Sequence, residues 1–408
     1  GMRCPPLFHG AFSAEPGSPR RAAPERAARR GAAESTAQSC KDKGVLQLDE
    51  RFNGVIAPSP DDPQVLEAYL RPLYEPDSHA ANLLELDNGD LLCAWFNGSG
   101  EGNPDTNVVM SRLPYGADRW EDPVELASDP ERSEQNPVLF QAPDGKVWLL
   151  HTSGEPHNQA SARVVRRISE DRGRTWSPPE VLFEGPGLFI RHPIVVLKSG
   201  DWLLPAYYCK SGGHYSVVEI SSDQGKTWQE VVVPESVHRV HMNIVERSDG
   251  SLLGMFRSRH SDRIYVSTSH DGGRSWTPPA RSGLPNNNSS FQVIRLQNGH
   301  FALVYNNATL ERDQFRWVGD ENPRKKAVRT PLTLAISEDE GKTWPYVKNV
   351  QTADLEYKEK PVGYSYPSIV QGRDGALHIA FSYLRKTIKY VRVSEAWAKE
   401  GHIGGFVS

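Results

Sequence analysis

One eight-residue phrase occurs four times in the middle of this chain, at 169–176 (SEDRGRTW), 221–228 (SSDQGKTW), 269–276 (SHDGGRSW) and 337–344 (SEDEGKTW). Recurrence at this length marks a repeat architecture, in which one supersecondary unit is copied and stacked. Each copy fits SxDxGx(S/T)W. The serine ends a strand, the Asp bonds amides of its own turn, the Gly takes a positive φ, and the Trp opens the next strand with a large apolar area. A weakened fifth copy at 111–120 (SRLPYGADRW) keeps the outer residues and loses the spacing.

An independent repeat counts the units. Asp-Gly, Asn-Gly or Ser-Gly between apolar runs signals a tight hairpin. It occurs at 86–95 (LDNGDLLCAW), 142–151 (APDGKVWLLH), 197–206 (LKSGDWLLPA), 247–256 (RSDGSLLGMF), 296–305 (LQNGHFALVY) and 372–381 (GRDGALHIAF). The hairpin glycines, Gly89, Gly145, Gly200, Gly250, Gly299 and Gly375, are 56, 55, 50, 49 and 76 residues apart. Roughly fifty residues carrying four short strands make one propeller blade. The chain therefore predicts an all-β fold, a six-bladed β-propeller, as a single domain over residues 44–408.

Residues 1–43 are dominated by Ala, Arg, Pro and Ser, without strand or helix pattern, and read as a disordered extension. Its Arg-rich, acidic-poor start resembles an organelle transit peptide but lacks the apolar core of a secretory signal, which favours a soluble, cytoplasmic protein. After it, 45–50 (VLQLDE) is strand-like, and Asp61-Asp62-Pro63 ahead of QVLEAYL predicts a short capped helix. The segment 388–393 (IKYVRV) and the strand at Val45 are expected to close the ring and remove its open edges. A net charge of −4 excludes the basic footprint of a nucleic-acid binder. No apolar run approaches the length of a membrane span. The four cysteines and the histidines have no metal-ligand spacing, so no cofactor, metal or disulfide framework is implied. Oligomeric state is not readable.

In a propeller the innermost strand of each blade starts at one mouth of the central channel. Residues about nine before each hairpin glycine should converge there: His79, Asn136, Arg191 with His192, His241, Ser289 with Ser290, and Tyr366. Polar groups meeting in a concavity are what a ligand pocket needs. The turn carboxylates Asp171, Asp223, Asp271 and Asp339 and the four turn tryptophans belong instead to outer turns and core. His151, His300 and His378 fall within hairpin strands and read as packing or surface residues. The segment 310–327 enlarges the fifth repeat by a charged loop, a lid or an assembly contact.

With these motifs in place, the chain resembles the sialidase superfamily over residues 75–395. In that family the SxDxGxTW turns are called Asp boxes and the fold is a six-bladed propeller. The resemblance implies three arginines clamping a substrate carboxylate, a Tyr nucleophile activated by a Glu, and an Asp acid/base. Arg257, seven after its hairpin glycine, and Arg329, eight before a turn serine, match the second and third arginines. Tyr366 matches the nucleophile. The first arginine is replaced by His79 and the activating Glu by His241, while Glu101 and Asp105 in the loop SGEGNPDTN stand as candidates for the acid/base. The expected partner is an acidic glycan.

An incomplete arginine clamp makes an ordinary sialic-acid hydrolase less expected than the fold alone suggests. The groups present suit β-elimination from a uronate: arginines neutralise the carboxylate, a histidine removes the adjacent proton, and Tyr366 or the other histidine protonates the leaving oxygen. In this respect the chain is also similar to propeller enzymes acting on rhamnose–glucuronate linkages. A hydrolytic version keeps Tyr366 as nucleophile with His241 as its base and Asp105 or Glu101 as acid. A non-catalytic glycan-binding propeller and an exo-sialidase with a diverged site remain open alternatives.

Overall fold

The computed structural model describes residues 49–352 and 363–401. Their strands form six antiparallel sheets of four or five strands, each one blade, arranged in a ring. Blade 1 comprises Asp77–Glu85, Leu91–Gly98, Asn107–Leu113 and Val124–Ala127. Blade 2 follows with Ser133–Gln141, Val147–Gly154, Arg163–Ser169 and Glu180–Phe183. The inner strands of blades 3 to 6 are the interrupted pair Leu188–Ile190 and Val195–Val196, then Arg239–Glu246, Gln292–Arg295 and Tyr364–Gln371. Every hairpin predicted from a glycine joins the first and second strands of its blade.

Alternating side chains bury both faces of the middle strands, so the core lies between blades. Leu92, Ala94, Val108 and Met110 of blade 1, for example, pack on Leu139, Val147 and Leu149 of blade 2. Inner strands also have an edge facing the channel, where a buried N–H must find a partner. Side chains of neighbouring blades supply it: Asn82 Oδ1 accepts from Leu139 N (2.8 Å), Asn243 Oδ1 from Val293 N (3.2 Å), Gln292 Oε1 from Ile369 N (2.8 Å), and Ser368 Oγ from Leu83 N (2.9 Å). All four acceptors stand seven residues before their hairpin glycine. This polar stitch runs between blades 1 and 2, 4 and 5, 5 and 6, and 6 and 1.

The four SxDxGx(S/T)W turns share one geometry. In the first, Ser169 Oγ donates to Asp171 Oδ1 (2.8 Å) and accepts from Gly173 N (2.7 Å), while Asp171 accepts from Thr175 N (2.8 Å) and Thr175 Oγ1 (2.6 Å). Gly173 needs its φ of +80° to bring that amide round. These bonds hold the Asp171 carboxyl well below the ordinary carboxylate range, the Thr175 hydroxyl first among them. The turns lie at the hairpin-glycine end of the ring, where Arg172 pairs with Asp87 and Arg274 with Asp201 of the preceding blade. Trp276 and Trp344 are buried, and Trp176 and Trp228 pack against the interblade clusters.

Closure differs from the sequence expectation. Asp62 and Pro63 form a turn, with Asp62 accepting from Gln64 N and Val65 N, and then Leu66–Tyr69 runs as a strand rather than a helix. It pairs antiparallel with Thr387–Val393, Leu66 opposite Arg392 and Tyr69 opposite Lys389, and becomes the fourth strand of blade 6. Few helical turns fit in so short a segment, and helix nucleation is costly. An open sheet edge offers it a full set of partners. The strand read at Val45 lies outside the described residues. Among the described residues, Cys93 and Cys209 are free, no helix is long and apolar enough to cross a membrane, and no His, Cys, Asp or Glu side chains cluster as metal ligands.

Candidate active site

At the channel mouth the inner strands share a backbone device. Ala80, Asn136, His241 and Tyr366, each nine before a hairpin glycine, have φ of 61°, 49°, 50° and 52°, and the ladder register shifts beside each of them. Such a bulge re-aims a side chain and ends regular pairing. In blade 3 the same offset falls on Arg191 and in blade 5 on Ser290. In blade 1 it falls on Ala80, and the candidate side chain there is its neighbour, His79.

Tyr366 is the centre of the resulting cluster and is 8% exposed. Arg257 Nη1 donates to its Oη at 2.7 Å. The guanidinium carbons of Arg191, Arg257 and Arg329 lie 5.3, 5.6 and 5.5 Å from its ring centroid. The His79 ring sits 4.1 Å from the same centroid and the His241 ring 5.5 Å, edge-on. His192 is next in line, 6.4 Å from His241.

The three arginines differ in what they hold. Arg191 is fully buried; its Nη2 donates to the carbonyls of Ala81, Tyr366 and Pro367, and its Nε to Ser290 Oγ. It pins the strand that carries Tyr366. Arg257 gives Nε to Asn288 Oδ1 (2.9 Å), and the part-buried Arg329 gives Nη1 to Ser365 Oγ (3.2 Å). Neither Arg257 nor Arg329 has a carboxylate ion pair among the described residues. Burial, with Arg257 and Arg385 nearby, pushes the Arg329 guanidinium down to about 10.

Both site histidines sit where their surroundings disfavour the charged form. Burial, then Arg385, Arg329, Arg191 and Arg257, holds His79 well below its usual value. Burial, Arg257 and His192 do the same for His241. His79 Nδ1 is bonded to Ser382 Oγ (2.8 Å), whereas His241 Nε2 meets Tyr207 Oη (3.0 Å) and both its ring nitrogens face Arg257 Nη1.

The remaining candidates are less central. Asn136 is buried at its bulge. Asp105 is exposed and accepts from Ser99 Oγ within its own loop. Glu101, from the same loop, accepts from Arg385 Nη1 (3.1 Å) and lines a cavity with Arg329. Two residues escaped the sequence: Tyr207, the partner of His241, and Arg385, bound to both Asp77 oxygens at 2.6 Å. Tyr207 stands seven residues after Gly200, the same offset that located Arg257, so the hairpin count could have found it, whereas Arg385 lies in the turn at 384–386 and carries no repeat marker.

A family model described as BNR repeat-like domain matches residues 89–379. The chain belongs to that family. No curated protein sequence matches this BNR repeat-like chain. Its fold is similar to that of a Hadza microbial sialidase (TM-score 0.64, 16% identity, 79% of this chain and 66% of that one). It is equally similar to the intramolecular trans-sialidase of Ruminococcus gnavus (0.64, 15%, 79% and 95%) and to a leech intramolecular trans-sialidase (0.65, 15%, 81% and 70%). A protein of unknown function from Dyadobacter fermentans is similar as well (0.62, 17%, 81% and 99%). The BNR repeat-like propeller thus has a sialidase-like fold.

Proposed function

We propose that this propeller is a carbohydrate-active enzyme that binds the carboxylate of an acidic glycan with Arg257 and Arg329 and cleaves the glycan by β-elimination. One observation carries the reading: two guanidinium groups flank Tyr366 and neither is in an ion pair with a carboxylate of the described residues. Unpaired buried cations are costly to a fold, and a bound anion is what offsets that cost. One of the similar structures is a complex with oseltamivir carboxylate, which supports a carboxylate as the anion.

The steps follow from the groups. Once the arginines bind the uronate carboxylate, the C–H next to it becomes more acidic. In the tautomer whose Nδ1–H donates to Ser382 Oγ, His79 keeps the lone pair on Nε2 and uses it to take that proton. Electrons move into a new C=C bond while the adjacent C–O bond to the leaving sugar breaks. Tyr366 receives a bond from Arg257 at Oη, so its own O–H is free to protonate the leaving oxygen. No water is consumed.

A panel of uronate-containing oligosaccharides tests this. A product absorbing in the enoate band supports it. Reducing sugar without that absorbance replaces elimination with hydrolysis, Tyr366 then acting as nucleophile. Binding without product makes the molecule a lectin, and equal turnover of the neutral methyl esters removes the carboxylate clamp.

A further inference from the structure

The fifth blade carries an inserted hairpin, Phe315–Val318 paired with Arg324–Ala327. Its register sets Arg316 directly opposite Lys326. Like charges facing each other across an antiparallel pair are destabilising, and nothing within the hairpin compensates them. Both side chains line a cavity of about 240 Å³, the space of one sugar residue, together with Arg329, Arg385, Ser365 and Glu101.

The charges of that cavity do not balance. Arg385 is answered twice, by Asp77 and by Glu101, which uses the one carboxylate of the lining. Arg316, Lys326 and Arg329 have no ion-pair partner among the described residues. Arg329 faces both ways, with its guanidinium 5.5 Å from the Tyr366 ring and its side chain in the cavity wall. A guanidinium and an ammonium side by side suit the oxygens of a sulfate ester or a carboxylate.

We infer that this cavity is a second anion subsite, holding a sulfate ester or a second carboxylate on the sugar next to the one bound at Arg257 and Arg329. The inference rests on the carboxylate reading above and extends it from an acidic glycan to one charged on neighbouring residues.

Calorimetric titration of the full chain tests it with three probes: methyl glucuronide, a disaccharide of two uronates, and a uronate disaccharide sulfated on the second sugar. The wild type should bind one or both doubly charged probes about tenfold tighter than the monosaccharide, the size of one charge-assisted contact, and the tighter of the two identifies the second anion. The Arg316→Gln/Lys326→Gln variant should lose that advantage while binding methyl glucuronide unchanged. Equal affinity for all three probes, or a variant that weakens methyl glucuronide as much as the disaccharides, overturns the second subsite and leaves the first standing. Failure of every probe to bind the wild type overturns both.

Discussion

Replacing Arg329 with Met should separate function from stability, because the two respond in opposite directions. Burial pushes this guanidinium from its ordinary value down to about 10, so the fold opposes its charge. Fully buried, a shift of that size would correspond to about 3 kcal/mol at 1.36 kcal/mol per unit. The side chain is part-exposed, and solvent screening reduces the figure to about 1–2 kcal/mol. Methionine keeps the aliphatic packing and gives up one bond to Ser365. The variant should therefore melt about 1–3 °C higher than wild type, the melting shift per kcal/mol being small in a domain of this size. On the best acidic glycan it should lose about 2–4 kcal/mol of transition-state binding, as expected when one partner of a buried charge pair is removed. That is a fall of roughly 30- to 900-fold in kcat/KM. Scanning calorimetry and initial rates on one preparation read both quantities. Unchanged kcat/KM would refute the clamp, and a marked drop in melting temperature would show that an unseen partner neutralises Arg329.

A fluorogenic sialoside should be turned over slightly or not at all, because His79 and His241 stand where an arginine and a glutamate are expected; installing His79→Arg with His241→Glu should raise that rate, and robust wild-type turnover would contradict the reading. Stability should fall in acid: burial holds His378 at about 4, so the unfolded chain takes up a proton first, and the contribution is complete above pH 6.5 and lost between there and about pH 4. This one residue accounts for up to about 3 kcal/mol, with His79, His192 and His241 acting in the same direction; urea unfolding at pH 7 and pH 4.5 with equal free energies would exclude it. Asn82→Ala should destabilise by about 1–3 kcal/mol by leaving the amide of Leu139 unbonded in the channel wall, and a neutral result in the same unfolding assay would mean that water takes the asparagine's place.

What could be read in advance depended on periodic markers. Six hairpin glycines located the blades, and counting back from them brought His79, His241 and Tyr366 to one mouth, since one blade length of chain always returns to the same height in the ring. Arg257 and Arg329 were found by similar offsets. Arg191 shows where counting ends: its position in the channel was legible, but only coordinates show its guanidinium spent on three carbonyls. Arg385 was invisible because a short turn between two strands has no pattern to count from. The stretch QVLEAYL was misread for a different reason. Its local signals favour a helix, and the decisive partner, Thr387–Val393, lies more than three hundred residues away.

The bulges at the channel mouth have a consequence for how this scaffold can change. Four blades present their side chains from a left-handed backbone position, held by the register of the sheet and not by the residue that occupies it. Ala, Asn, His and Tyr already fill that position in one molecule. Each is an interchangeable socket, closed mainly to β-branched residues, for which the left-handed conformation is most strained. A new reaction can therefore be fitted by exchanging the occupants while the ring around them stays as it is.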